Sequence, residues 1–251
     1  MYNSKPRGHY ASAIGKLLFL NAPLLLNDFY LIQLPDSSLA LSITLDLFFH
    51  VCWLPGSLYL ASQAGWFAFS DLGISRSQPL RQCLTALRLF LSTEVIVALL
   101  LIFQTLMLHF SSHTATFGAP DQMPDSPSSR YVYEAYRGLC SAILQTITFV
   151  ALPSLLLRPL SRDNFPPILA AGTLWALGLW SHGGFEIITF FFCGMLYTQS
   201  YLRSGQFLPI AGCSLLHSLL VASPLGADLM FWPPAITRAF TGAFLGWQWP
   251  I

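Results

Sequence analysis

Five ionisable side chains lie inside apolar runs of this sequence: Asp46, His50, Glu94, His182 and His217. Carboxylates and imidazoles are the groups that move protons near neutral pH; a carboxylate can take one from an attacking water while an imidazole orients that water or stabilises the charge that develops. Such groups are costly in hydrocarbon, so inside a membrane span they face a bundle interior or a wet cavity and are functional candidates by default. Each also has a plainer role, because a lone intramembrane histidine or aspartate can simply bond a neighbouring helix, a contact worth about 1 kcal/mol. Asp46 and His50, four residues apart, suit a local pair equally well. Glu94, taken alone, reads first as a structural contact.

The surrounding composition makes the membrane the solvent. Apolar residues make up 54% of the chain and charged residues 9%, the profile of a polytopic membrane protein. Twelve Lys and Arg are spread along the 251 residues without forming a basic face, which excludes nucleic acid as a partner. The five cysteines stand singly, mostly in apolar runs, and read as packing residues. Lys5 and Arg7 precede the first apolar run, but Asn21, Pro23, Asn27 and Asp28 interrupt it and no small-residue cleavage site follows, so it is expected to stay attached.

Eight runs approach the roughly 20 residues a span requires. They cover 12–33, 38–62, a long third run to 110, 133–157, 165–181, 185–202, 207–223 and 229–248. The first contains Lys16, Asn21 and Asp28 and suits an interfacial helix too. Residues 111–130, rich in Ser, Pro and Asp, read as a flexible loop. Sorting loops by their cations puts Lys5, Arg7, Arg76, Arg81, Arg158, Arg162 and Arg203 on one side, whereas the opposite loops hold mainly aspartates and the single cation Arg130. The expectation is an all-α bundle of about eight transmembrane spans, both termini inside, forming one domain over 1–251. At 1.5 Å per residue, Asp46, Glu94 and His217 fall near a common depth in the outer half of that bundle, with His182 nearer the outer surface.

No zinc-protease motif, serine nucleophile motif or phosphate-cradling loop is present in the sequence. Four other features carry a resemblance over residues 145–225. An apolar segment ends in Arg158; a helix ends in His182; Phe192-Cys-Gly194 leads to the turn Tyr201-Leu-Arg-Ser-Gly205; and His217 follows on the next helix. The phrase Phe69-Ser-Asp-Leu-Gly-Ile74 precedes a long span. Together they resemble the CPBP family of CAAX prenyl endopeptidases and bacteriocin-processing membrane peptidases, whose motifs are E-E-x-x-x-R, F-x-x-x-H and H-x-x-x-N on three helices.

The resemblance implies a glutamate acting as general base on water, with His182 and His217 as catalytic groups that orient it and stabilise the oxyanion, and Arg158 in support. This sequence departs from it at the glutamate pair, occupied by Pro153 and Ser154, at the phenylalanine, where Gly178 stands, and at the asparagine, where Val221 stands. A second register, through Glu134 and Arg137, places the arginine too far from His182. Losing the general base costs on the order of 10² to 10⁴ in rate. The first expectation is therefore a catalytically degenerate protein acting as a binding, assembly or accessory subunit of a membrane complex in a bacterial inner membrane or its equivalent. The second is a divergent endopeptidase whose base is Glu94, Glu134 or Glu186, acting on a transmembrane peptide. A third is a pigment- or lipid-binding subunit using His50, His182 or His217; no other cofactor and no metal is expected. A carboxylate within about 3 Å of His182 or His217 favours the enzyme.

Overall fold

A computed structural model describes residues 7–33, 41, 44–45, 47–74, 78–111, 132, 135–136, 138–161, 163–178 and 184–222. Among these residues the regular structure is entirely helical. Helix α1 spans Arg7–Gln33. Helix α2 is a π-helical segment, Phe48–Trp53, continuing into an α-helix, Leu54–Gln63. Helix α3 spans Pro79–Ser111. Helix α4 runs from a π-helical segment, Ser141–Ala151, through Leu152–Leu157 to a closing 3₁₀ turn, Arg158–Leu160. Helices α5, α6 and α7 span Phe165–Leu177, Gly184–Ser204 and Leu208–Ala222.

Both π-helical segments are followed by the same dipeptide, Leu54-Pro55 and Leu152-Pro153. A proline has no N–H to donate and its ring crowds the carbonyl four residues earlier, so widening the preceding turns relieves that clash without breaking the helix. Pro153, which stands where the resemblance would put a glutamate, is therefore accounted for by the backbone of α4.

Among the described residues, two stretches are long and apolar enough to cross a membrane, Pro79–Gln104 in α3 and Gly138–Leu160, which includes α4. They face different surroundings. Leu80, Leu84, Leu87, Leu91, Val95, Leu99 and Phe103 form an exposed stripe along α3, whereas α4 is central and buries Phe149, Val150, Ala151 and Leu152. The core also takes in Leu17 and Leu20 of α1, Leu54 of α2, Leu89 of α3, Trp175 of α5, Tyr197 of α6 and Ile210 of α7, with Leu72 supplied by the connection before α3.

Helix α1 packs one face on the rest of the protein, since Ala13, Leu17, Leu20 and Leu24 are buried at three- and four-residue spacing. Asn21 lies within that face and is fully buried. Its amide donates to the Leu17 carbonyl at 2.8 Å and to the Thr148 carbonyl of α4 at 3.4 Å. Beyond it, Tyr10 donates to the Leu160 carbonyl at 2.5 Å. A polar residue that interrupts the run in sequence thus ties the first helix to the central one.

Helices α5 and α6 pack closely. A Cβ on Gly172 would meet the Phe191 carbonyl oxygen at 2.8 Å, and one on Gly194 would meet the Ala171 carbonyl oxygen at 3.0 Å. Two glycines facing one another let these backbones approach as small-residue seams do in membrane bundles. Behind them Trp175 stacks edge-on against Tyr197, with ring centroids 5.1 Å apart, and lies 5.7 Å from Phe149. Helix α5 closes on Gly178, whose N–H donates to the Leu174 carbonyl at 2.9 Å, and the end of the expected run, 179–181, lies outside the described residues.

Candidate active site

Glu94 and His217 face one another from α3 and α7, with Glu94 Oε1 2.6 Å from His217 Nδ1. Their side chains are 21 and 18% exposed respectively, so the pair is neither sealed in the core nor free on the surface. A carboxylate bonded to Nδ1 stabilises the tautomer in which that nitrogen carries the proton, leaving Nε2 as the atom able to accept another. At this distance no water lies between the two groups, and Glu94 acts on the imidazole directly.

The seam beside the pair is also polar. Thr93, next to Glu94 in sequence, is fully buried and donates to the Leu89 carbonyl at 2.9 Å. Its hydroxyl lies 3.9 Å from Cys213 Sγ, one helical turn before His217. Cys213 in turn donates to the Tyr197 hydroxyl of α6 at 3.6 Å. Thr93 over Cys213 and Glu94 over His217 form two rungs between α3 and α7, the first braced from α6. Read only as a packing residue in the sequence, Cys213 belongs to this network. The signal for it was its four-residue spacing from His217, matched by the adjacency of Thr93 and Glu94.

Two other expected site residues, His50 and Arg158, lie on other elements. His50 is buried in the π-helical part of α2, a helix packed on α1. Arg158 opens the 3₁₀ turn at the exposed end of α4. Ser154, where the resemblance would put the second glutamate, is buried and donates to the Val150 carbonyl at 2.8 Å. His182, Asp46 and Glu134 lie outside the described residues, as do the eighth run and nearly all of the 111–130 loop. Among the described residues no group of three or more His, Cys, Asp or Glu side chains is arranged to hold a metal ion.

Two sequence features that carry the resemblance meet in space. Gly73, at a φ of 70°, and Gly205, at 63°, both adopt left-handed backbone. A Cβ on Gly73 would overlap the Gly205 carbonyl. The Phe207 N–H donates to the Gly73 carbonyl at 3.2 Å, and the Tyr201 hydroxyl donates to the Leu72 carbonyl at 3.2 Å. The Asp71-Leu72-Gly73 element is thereby locked onto the Tyr201–Gly205 turn. That lock joins the start of α3, which carries Glu94, to the α6–α7 connection, which leads to His217.

No known family profile, curated protein or solved structure matches the chain.

Proposed function

We propose that the chain is a divergent intramembrane endopeptidase of the CPBP type, with the Glu94–His217 pair as its acid–base centre. The observation that carries this reading is the 2.6 Å contact between a carboxylate and an imidazole on separate, apolar helices. His217 is also one of the histidines on which the resemblance rests. In the proposed reaction Nε2 of His217, in place of the glutamate expected from the resemblance, takes a proton from water, the resulting hydroxide attacks a peptide carbonyl, and the proton passes to the departing amine. Glu94 holds the ring in the required tautomer and stabilises its protonated form. The substrate is a transmembrane peptide that reaches the pair laterally. About eight spans with both termini inside, in a bacterial inner membrane or its equivalent, suit the cation distribution and the exposed stripe of α3.

A second reading rests on Pro153 and Ser154. Both are buried and no carboxylate replaces the glutamate pair at those positions, which favours an accessory subunit that binds a membrane protein without cutting it.

Reconstituted protein incubated with quenched-fluorescent transmembrane peptides separates the two. Cleavage that falls by about 10² or more in both Glu94→Gln and His217→Ala, with thermal unfolding unchanged, supports the peptidase. Wild-type protein no faster than Glu94→Gln on every peptide, but recovered from membranes with a stoichiometric protein partner, supports the subunit.

A further inference from the structure

Away from the Glu94–His217 pair, α1 and α2 enclose an open groove of about 750 Å³, within the range of about 300–1,000 Å³ usual for ligand sites. Its floor is one face of α2, where Phe48, Cys52, Gly56, Leu60 and Ala64 recur every fourth residue. Over the 16 steps from Phe48 to Ala64 this face extends for at most about 24 Å, longer than the acyl layer of one leaflet, about 15 Å. Phe19 of α1 and Trp66, after α2, form the other wall at one end, ring centroids 6.1 Å apart. The groove is almost wholly apolar.

Its end is charged. Lys16, one turn before Phe19, holds its ammonium 5.2 Å from the Trp66 ring centre, and among the described residues no carboxylate neutralises it. Tryptophan and lysine are the side chains that settle at headgroup level, with the lysine stem lying along apolar surface. A long apolar channel capped by one cation and one indole has the polarity of a phospholipid with an anionic headgroup.

We infer that the α1–α2 groove binds an anionic glycerophospholipid, one acyl chain lying along the Phe48–Ala64 face of α2 and the phosphate on the Lys16 ammonium beside Trp66. The inference rests on the reading of the chain as a membrane protein, though not on peptidase activity. The cation sets the preference for a negative headgroup and the stripe sets the affinity for the chain. Gly56 sits in the floor with nothing within 4 Å of where its Cβ would be, so a side chain added there enters the groove rather than the protein.

The test uses full-length protein in nanodiscs of equal phosphatidylglycerol and phosphatidylcholine, released into mild detergent, with retained lipid counted by native mass spectrometry. Wild type is expected to retain phosphatidylglycerol over phosphatidylcholine, Lys16→Gln to lower that ratio about fivefold, and Gly56→Phe to retain neither lipid while unfolding at an unchanged temperature. An unchanged ratio in Lys16→Gln overturns the assignment of the headgroup. Equal retention by Gly56→Phe, or a fall in its unfolding temperature with no change in bound lipid, overturns the groove as a lipid site, the latter because a segment of the chain itself would then be filling it. Carbonate extraction of cell membranes reads the membrane assignment separately: protein released by carbonate fails that reading whatever the lipid counts show.

Discussion

The two sides of this molecule use glycine in opposite ways. On the α5–α7 side, glycines are where backbones touch: Gly172 against Phe191, Gly194 against Ala171, and Gly73 against Gly205. On the α1–α2 side, Gly15 and Gly56 have nothing within 4 Å of where a side chain would begin, and Phe19, Phe48, Trp53 and Leu60 stand exposed around the gap. Both sides are apolar, so hydrophobicity alone does not distinguish a packed seam from an open groove. The distinction lies in whether small residues on one element oppose small residues or carbonyls on another. Where they do, the Glu94–His217 pair gains a fixed frame; where they do not, a lipid-sized space remains.

The largest effect is expected from Gly73→Ala. The added Cβ would overlap the Gly205 carbonyl, a backbone atom that cannot move aside, and the left-handed conformation costs a further 1–2 kcal/mol or so. Stability in detergent is expected to fall by about 3 kcal/mol or more, and Glu94 to move away from His217 as the start of α3 separates from the turn. Gly73→Ala as stable as wild type would mean that the lock does not hold the site together. Gly194→Val is expected to cost about 2–3 kcal/mol, because its neighbours are the Ala171 carbonyl, Gly172 and the Cβ of Trp175. Tyr201→Phe follows at about 1 kcal/mol, the Leu72 carbonyl losing its hydroxyl donor.

Much of this frame was legible in residue types. Glu94 and His217 were marked as ionisable residues within apolar runs, and they lie 2.6 Å apart. The Asp71-Leu72-Gly73 and Tyr201–Gly205 elements were visible as motifs, but their docking was not, because a left-handed glycine advertises a special backbone without naming its partner. Asn21 was misleading in one dimension: polarity that weakens a lone span becomes a bond between helices once Thr148 lies opposite. The π-helical widening of α4 was equally hidden, since Pro153 signals a backbone disturbance and several geometries relieve it. The roles expected of His182 and Asp46 lie on residues outside those described.

The smallest effect sharpens the comparison from its open side. Gly56 occupies the third position of the α-helical part of α2, where glycine is a poor helix former and an added methyl meets no atom within 4 Å. Gly56→Ala should therefore stabilise the protein by about 0.5 kcal/mol, the reverse in sign of the same chemical change at Gly73. The two substitutions, measured side by side by chemical unfolding in one detergent, turn the contrast between the two sides into a difference of sign. If Gly56→Ala destabilises by more than about 1 kcal/mol, the α1–α2 space is already filled in the folded protein, and the groove belongs with the packed seams rather than opposite them.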